Sequence, residues 1–155
     1  MRNILKAALV TLALGAAAPT VTAQQPATPA AAPKSAVKTV TSEAFSKKPD
    51  GAILIDVREP KEWAETGMPA TAKGVSISQP DFVQRILAET GGDKTKPVAI
   101  ICRSGNRSAK AAQQLVDAGF TNVTNIGDGM SGREGTGPGW IAAKLPTKAY
   151  TADQR

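Results

Sequence analysis

Two spacings of apolar residues alternate along the middle of the chain. Residues 37–40 (Val-Lys-Thr-Val) alternate with period two, while 52–56 (Ala-Ile-Leu-Ile-Asp) and 98–101 (Val-Ala-Ile-Ile) are short β-branched runs. All three read as strands, the latter two buried on both faces. Residues 74–77 and 120–126 read as two more strands. Between them the period lengthens. Thr41 or Ser42 caps a short helix through Lys47, with Glu43 in its first turn. A second short helix follows Asp56 and carries Trp63 into the core. Gln79-Pro80-Asp81 starts a third, with Phe82, Val83, Ile86 and Leu87 at helical spacing, ending before Gly91-Gly92. The fourth runs from Ser108 to Gly119, with Ala109, Ala112, Leu115, Val116 and Ala118 as its apolar face. Strand and helix alternate throughout, which predicts an α/β fold: a parallel sheet sandwiched by helices.

The ends of the chain follow other rules. Residues 1–23 carry Arg2 and Lys6, then an apolar stretch from Ala7 to Ala18, then Val21-Thr22-Ala23 as a small-x-small site. That pattern predicts a secretory signal cleaved after Ala23, and the run is short for a membrane span. The mature protein is then expected in the periplasm or secreted, with no stable membrane anchor. Residues 24–36 are rich in alanine and proline without an apolar face, a linker. The domain proper is expected over 37–147, followed by a polar tail, 148–155, expected to fray.

Composition narrows the chemistry. The chain of 155 residues has net charge +6, falling to +4 once Arg2 and Lys6 are removed. The excess is spread out, without a basic run or interleaved aromatics, so nucleic-acid binding has little support. There is no histidine and one cysteine. A Cys–His or Ser–His pair is therefore impossible, no metal site of the usual zinc kind can form, and no cofactor is expected. Gly127–Gly132 matches G-x-G-x-x-G, but too few residues follow for the strand–helix–strand unit that a dinucleotide needs.

The single cysteine stands where chemistry is expected. Cys102 directly follows the strand 98–101, and Arg103, Ser104, Gly105, Asn106, Arg107 and Ser108 follow it into a helix. Strand, tight loop and helix N-terminus aim backbone N–H groups at one spot, and the helix dipole adds positive charge there. Two arginines add more. These surroundings favour a thiolate, which is the nucleophilic form, and an anion held against it.

The segment Cys102-Arg-Ser-Gly-Asn-Arg-Ser108 resembles the active-site loop of the rhodanese (sulfurtransferase) family, Cys-Arg-x-Gly-x-Arg-Ser/Thr. Residues 56–63, Asp-Val-Arg-Glu-Pro-Lys-Glu-Trp, resemble a second signature of that family. The likeness loosens after it, where Met68 and Ala70 replace the usual histidine and glycine. Gly129, Met130, Trp140, Leu145 and Pro146 match the closing segment, interrupted by a glycine-rich insertion at 131–139, expected to be a mobile loop near the site. The resemblance covers roughly 37–146 and implies a five-stranded, mainly parallel sheet with helices on both faces. It also implies transfer of sulfane sulfur through a Cys102 persulfide. The partners would be a small anionic donor such as thiosulfate and a thiophilic acceptor such as cyanide or a thiol, with a periplasmic protein acceptor possible. Residues 103–108 would bind substrate, with Arg103 and Arg107 on the donor, and Asp56 and Arg58 would support the site by hydrogen bonding and carboxylate pairing. Two rivals stay open: an idle sulfur-carrier or partner-binding module, and a phosphatase or arsenate reductase. The loops of cysteine phosphatases are one residue longer between Cys and Arg, which argues against the latter.

Overall fold

The computed structural model describes residues 36–151; the expected signal, all of the linker but Ala36, and residues 152–155 lie outside them. The elements are β1 (Lys38–Val40), α1 (Ser42–Lys47), β2 (Ile53–Asp56), α2 (Pro60–Thr66), β3 (Met68–Pro69) and β4 (Lys73–Gly74). Then come α3 (Phe82–Glu89), β5 (Val98–Ile101), α4 (Asn106–Asp117), β6 (Val123–Ile126), α5 (Gly139–Ala142) and β7 (Thr147–Lys148). No helix among the described residues is long and apolar enough to cross a membrane.

Five strands form one sheet in the order β1-β6-β5-β2-β4, and every pairing in it is parallel. The fold is α/β, as the alternation of periods predicts. β5 lies at the centre and all four of its residues are fully buried. Its side chains alternate between two cores. Val98 and Ile100 join Phe82, Ile86, Ala111, Ala112 and Leu115 of α3 and α4. Ala99 and Ile101 join Phe45, Trp63 and Trp140 of α1, α2 and α5 on the other face. Each fully buried isoleucine contributes about 1.5–3 kcal/mol, so the strand that carries Cys102 at its end is held firmly on both faces.

The order of strands creates the site. From β2 the chain moves outward to β4; from β5 it moves the opposite way, to β6. The helices that follow β2 and β5 pack on opposite faces, with Trp63 in one core and Leu115 in the other. The carboxyl ends of β2 and β5 are therefore a switch point, where loops part and a crevice opens. Asp56 ends β2, and Cys102 follows β5.

Several local expectations change. The strand expected at 74–77 is only Lys73–Gly74, although Val75 N–H still reaches the Asp56 carbonyl at 3.1 Å and Ile77 N–H the Val57 carbonyl at 3.2 Å. α4 begins at Asn106, two residues before Ser108, and its buried face is Ser108, Ala111, Ala112, Leu115 and Val116, with Ala109 exposed. Pro80 precedes α3 rather than sitting in its first turn. The tail does not fray at its start: Thr147 and Lys148 pair antiparallel with Pro69 and Met68, and the Tyr150 ring lies 5.2 Å from Trp63. Met68, in place of the usual histidine, is buried in the core beneath that pairing. The insertion is a closed turn, with Arg133 N–H donating to the Gly137 carbonyl at 3.0 Å and Gly137 N–H to the Arg133 carbonyl at 3.1 Å.

Candidate active site

Ile101 delivers Cys102 to the carboxyl edge with its side chain turned inward, 1% exposed. Two donors meet its sulfur. Gly105 N–H lies 3.2 Å from Sγ and the Ser108 hydroxyl 3.3 Å. The Ser108 oxygen is also 3.1 Å from the Gly105 carbonyl, so its one proton can rest there or turn to the sulfur. Sγ thus sits over the first turn of α4, whose leading N–H groups have no carbonyl of the helix to reach. The dipole of this 12-residue helix adds partial positive charge at the same place.

The loop keeps this shape because of glycine. Gly105 has φ +88, a left-handed conformation, and a Cβ there would overlap the Gly127 carbonyl. Gly129, at φ +63, packs with equal intimacy: a Cβ would meet the carbonyl oxygens of Cys102 and Arg103 at 2.6 Å. Those carbonyls accept from Met130 N–H at 2.8 Å and Ser131 N–H at 2.9 Å. The segment after β6 therefore clasps the cysteine loop from beneath.

That segment has its own anchor, Asp128, which the sequence pattern does not single out. It is fully buried. One carboxylate oxygen accepts from the Ser42 N–H at 2.8 Å and the Ser42 hydroxyl at 2.7 Å; the other accepts from Gly139 N–H at 3.1 Å. Only its place inside the glycine-rich run Gly127–Gly132 hints at a structural role.

The arginines divide. Arg58 is buried and satisfied at every turn: Asp56 at 2.7 Å, the Thr66 hydroxyl at 2.7 Å and the Gly67 carbonyl at 2.6 Å. The carboxylate that Arg58 meets is Asp56, which also accepts the Arg58 N–H at 3.1 Å. Arg107, assigned with Arg103 to the anionic donor, already has a partner. Its two terminal nitrogens each lie 2.6 Å from an oxygen of Glu62. Glu62 lies within the second signature, but its pairing with Arg107, 45 positions away, is not legible in that pattern. It also accepts Glu59 N–H at 3.0 Å, fastening the start of α2. Arg103 and Asn106 are exposed and Ser104 is half-buried. Arg133 of the insertion donates to the Asn106 side-chain oxygen at 3.2 Å, which ties the turn to the mouth of the loop. Arg58, Glu62, Glu65, Thr66, Arg103 and Ser131 wall a small cavity of about 120 Å³ beside it.

The Arg107 fork holds the Glu62 carboxyl down at about 2, from an ordinary 4.5, against an opposing push from partial burial. Glu62 in turn raises Arg107. A depressed carboxyl stabilises the fold above its unfolded value and loses that contribution as pH falls toward the folded one. The thermal midpoint of the wild type should therefore fall more steeply than that of Glu62→Gln as pH drops from 4.5 to about 2. Parallel melting curves would show that the pair adds nothing.

The match to the family model described as a rhodanese-like domain spans residues 40–134. The chain belongs to the rhodanese-like domain family. Thiosulfate sulfurtransferase GlpE from Pseudomonas entomophila is 30% identical over 100 residues, covering 64% of this chain and 86% of that protein. Thiosulfate sulfurtransferase 16, chloroplastic, from Arabidopsis thaliana is 33% identical over 107 residues, covering 64% and 82%. Among solved structures, a rhodanese-related protein from Thermoplasma volcanium superposes with TM-score 0.55 at 26% identity, over 73% of this chain and 99% of that one. For the rhodanese-like chain, the family match covers Cys102, both loop arginines, Glu62 and Asp128, and ends within the insertion.

Proposed function

We propose that this rhodanese-like protein is a sulfurtransferase working through a Cys102 persulfide. The Cys102 thiolate attacks the outer sulfur of thiosulfate or a related donor. The donor's S–S bond breaks, sulfite leaves with the bonding pair, and a new bond joins Sγ to the transferred sulfur. Cyanide or a thiolate then attacks that sulfur, the new bond breaks, and Cys102 returns as thiolate. No proton acceptor is needed at either step, in keeping with a chain that has no histidine. The observation that carries the reading is the sulfur cradle: Gly105 N–H and the Ser108 hydroxyl on Sγ, over the start of α4. The same donors suit the anionic persulfide, because charge-assisted hydrogen bonds are roughly twice as strong as neutral ones. Residues 1–23 would carry the protein out of the cytoplasm, leaving a periplasmic or secreted enzyme.

Mass spectrometry of the purified mature protein, with and without thiosulfate, tests this reading. One added sulfur atom is expected on the peptide holding Cys102, removed again by cyanide, on a chain that starts at Gln24. Because Cys102 is 1% exposed, a bulky aromatic disulfide should label it far more slowly than thiosulfate loads it. An unloaded Cys102 after thiosulfate treatment would sink the proposal.

A further inference from the structure

The charge at the mouth of the loop does not match the count of its arginines. Arg103 and Arg107 both follow Cys102 in sequence, yet both terminal nitrogens of Arg107 are bound to Glu62 across the crevice. The pair joins α2 on one face of the sheet to α4 on the other. Arg58, which also lines the neighbouring cavity, is spent on buried Asp56. The walls of the neighbouring cavity hold Arg58 and Arg103 against Glu62 and Glu65, so its charges offset. Arg103 has no ion-pair partner among the described residues, but it is exposed, where water and salt screen it.

We propose that Glu62 selects the donor by charge: by occupying Arg107 it makes the mouth less positive, so that a dianion such as thiosulfate loads at higher concentration than a singly charged sulfane donor, such as an organic thiosulfonate or persulfide anion. This rests on the sulfur-transfer reading. A doubly charged donor entering the crevice sheds water from both charges and finds two exposed, solvent-screened cations, Arg103 and Arg133, the α4 dipole and the Sγ donors; a singly charged one sheds less and finds the same partners. Glu62 itself stays ionised throughout the working range, since Arg107 holds its carboxyl far down. It touches no reacting atom, so it acts as a positioning residue through Arg107.

The test compares two small donors with the same transferable sulfur and different charge: thiosulfate, a dianion, and the methanethiosulfonate anion. Sulfur loading of Cys102 is followed by mass in the wild type, Glu62→Gln, Arg107→Ala and the double variant. In the wild type, methanethiosulfonate should half-saturate at the lower concentration. Freeing Arg107 through Glu62→Gln should lower the half-saturating thiosulfate concentration by roughly three- to tenfold, with a smaller change for methanethiosulfonate and little in the maximal rate. Arg107→Ala bares the Glu62 carboxylate, so thiosulfate loading should weaken, and adding Glu62→Gln should restore most of it. A double variant no better than Arg107→Ala would show Arg107 holding the donor directly and overturn the proposal, as would equal shifts for both donors. Should Glu62→Gln fail to fold, Glu62→Asp, with its carboxylate drawn back by one methylene, should shift thiosulfate in the same direction by a smaller factor; no shift overturns the proposal. A wild type loaded by neither donor would remove the sulfur-transfer reading instead.

Discussion

Cys102→Ser is expected to abolish sulfur loading from every donor while leaving the fold in place. A serine hydroxyl is almost wholly protonated near neutral pH, and its oxygen cannot accept sulfur to form a persulfide. The sulfur is also the only thiol in the chain, so no neighbour can take over. The fold should tolerate the change because a hydroxyl at the same place inherits the partners of Sγ, Gly105 N–H and the Ser108 hydroxyl. Shrinking a buried atom and adding polarity should cost about 1 kcal/mol, given that the hydrogen bonds are kept. Mass spectrometry after thiosulfate treatment, beside a thermal melt, reads both halves. Residual loading in the variant would place the acceptor sulfur outside the cradle.

Gly105→Ala is expected to do the reverse, removing activity by breaking the frame. Two costs add. A residue with Cβ at φ +88 is strained by about 1–2 kcal/mol. The new methyl would also overlap the Gly127 carbonyl, a backbone atom with no rotamer to yield, and such overpacking costs typically 1–3 kcal/mol. Together they come to about 3 kcal/mol or more, roughly 10 °C in the thermal midpoint of a domain this size. Relief by moving the loop would draw the Gly105 N–H off Sγ, so loading should fall even where the protein still folds. A variant that melts like the wild type and loads sulfur at the wild-type rate would contradict the cradle.

Cys102 and Gly105 stand three positions apart, close enough for local sequence to make both legible. The strand 98–101, the cysteine after it and the glycine before the helix lie within one short window, and local periodicity and turn chemistry suffice to read it. The long helices and central strands are equally local: Phe82 and Ile86 on α3, Leu115 and Val116 on α4, and the unbroken apolar run of β5 announce their burial. Two-residue strands announce nothing. β3 and β7 have no period to detect: Met68–Pro69 and Thr147–Lys148 meet beside the core that holds Trp63, Met68 and Trp140.

The sequence by itself determined the α/β alternation, the place of Cys102 after the central strand and the presence of two cations beside it, because each follows from residues within a few positions of one another. Only the tertiary structure decided what those cations do. Arg107 meets Glu62 over 45 positions, and Asp128 reaches back 86 positions to Ser42 to hold the segment beneath the loop. A charge pair is set by which side chains converge at the parted ends of β2 and β5, and convergence of that kind comes from the order of strands in the sheet, which no local pattern contains.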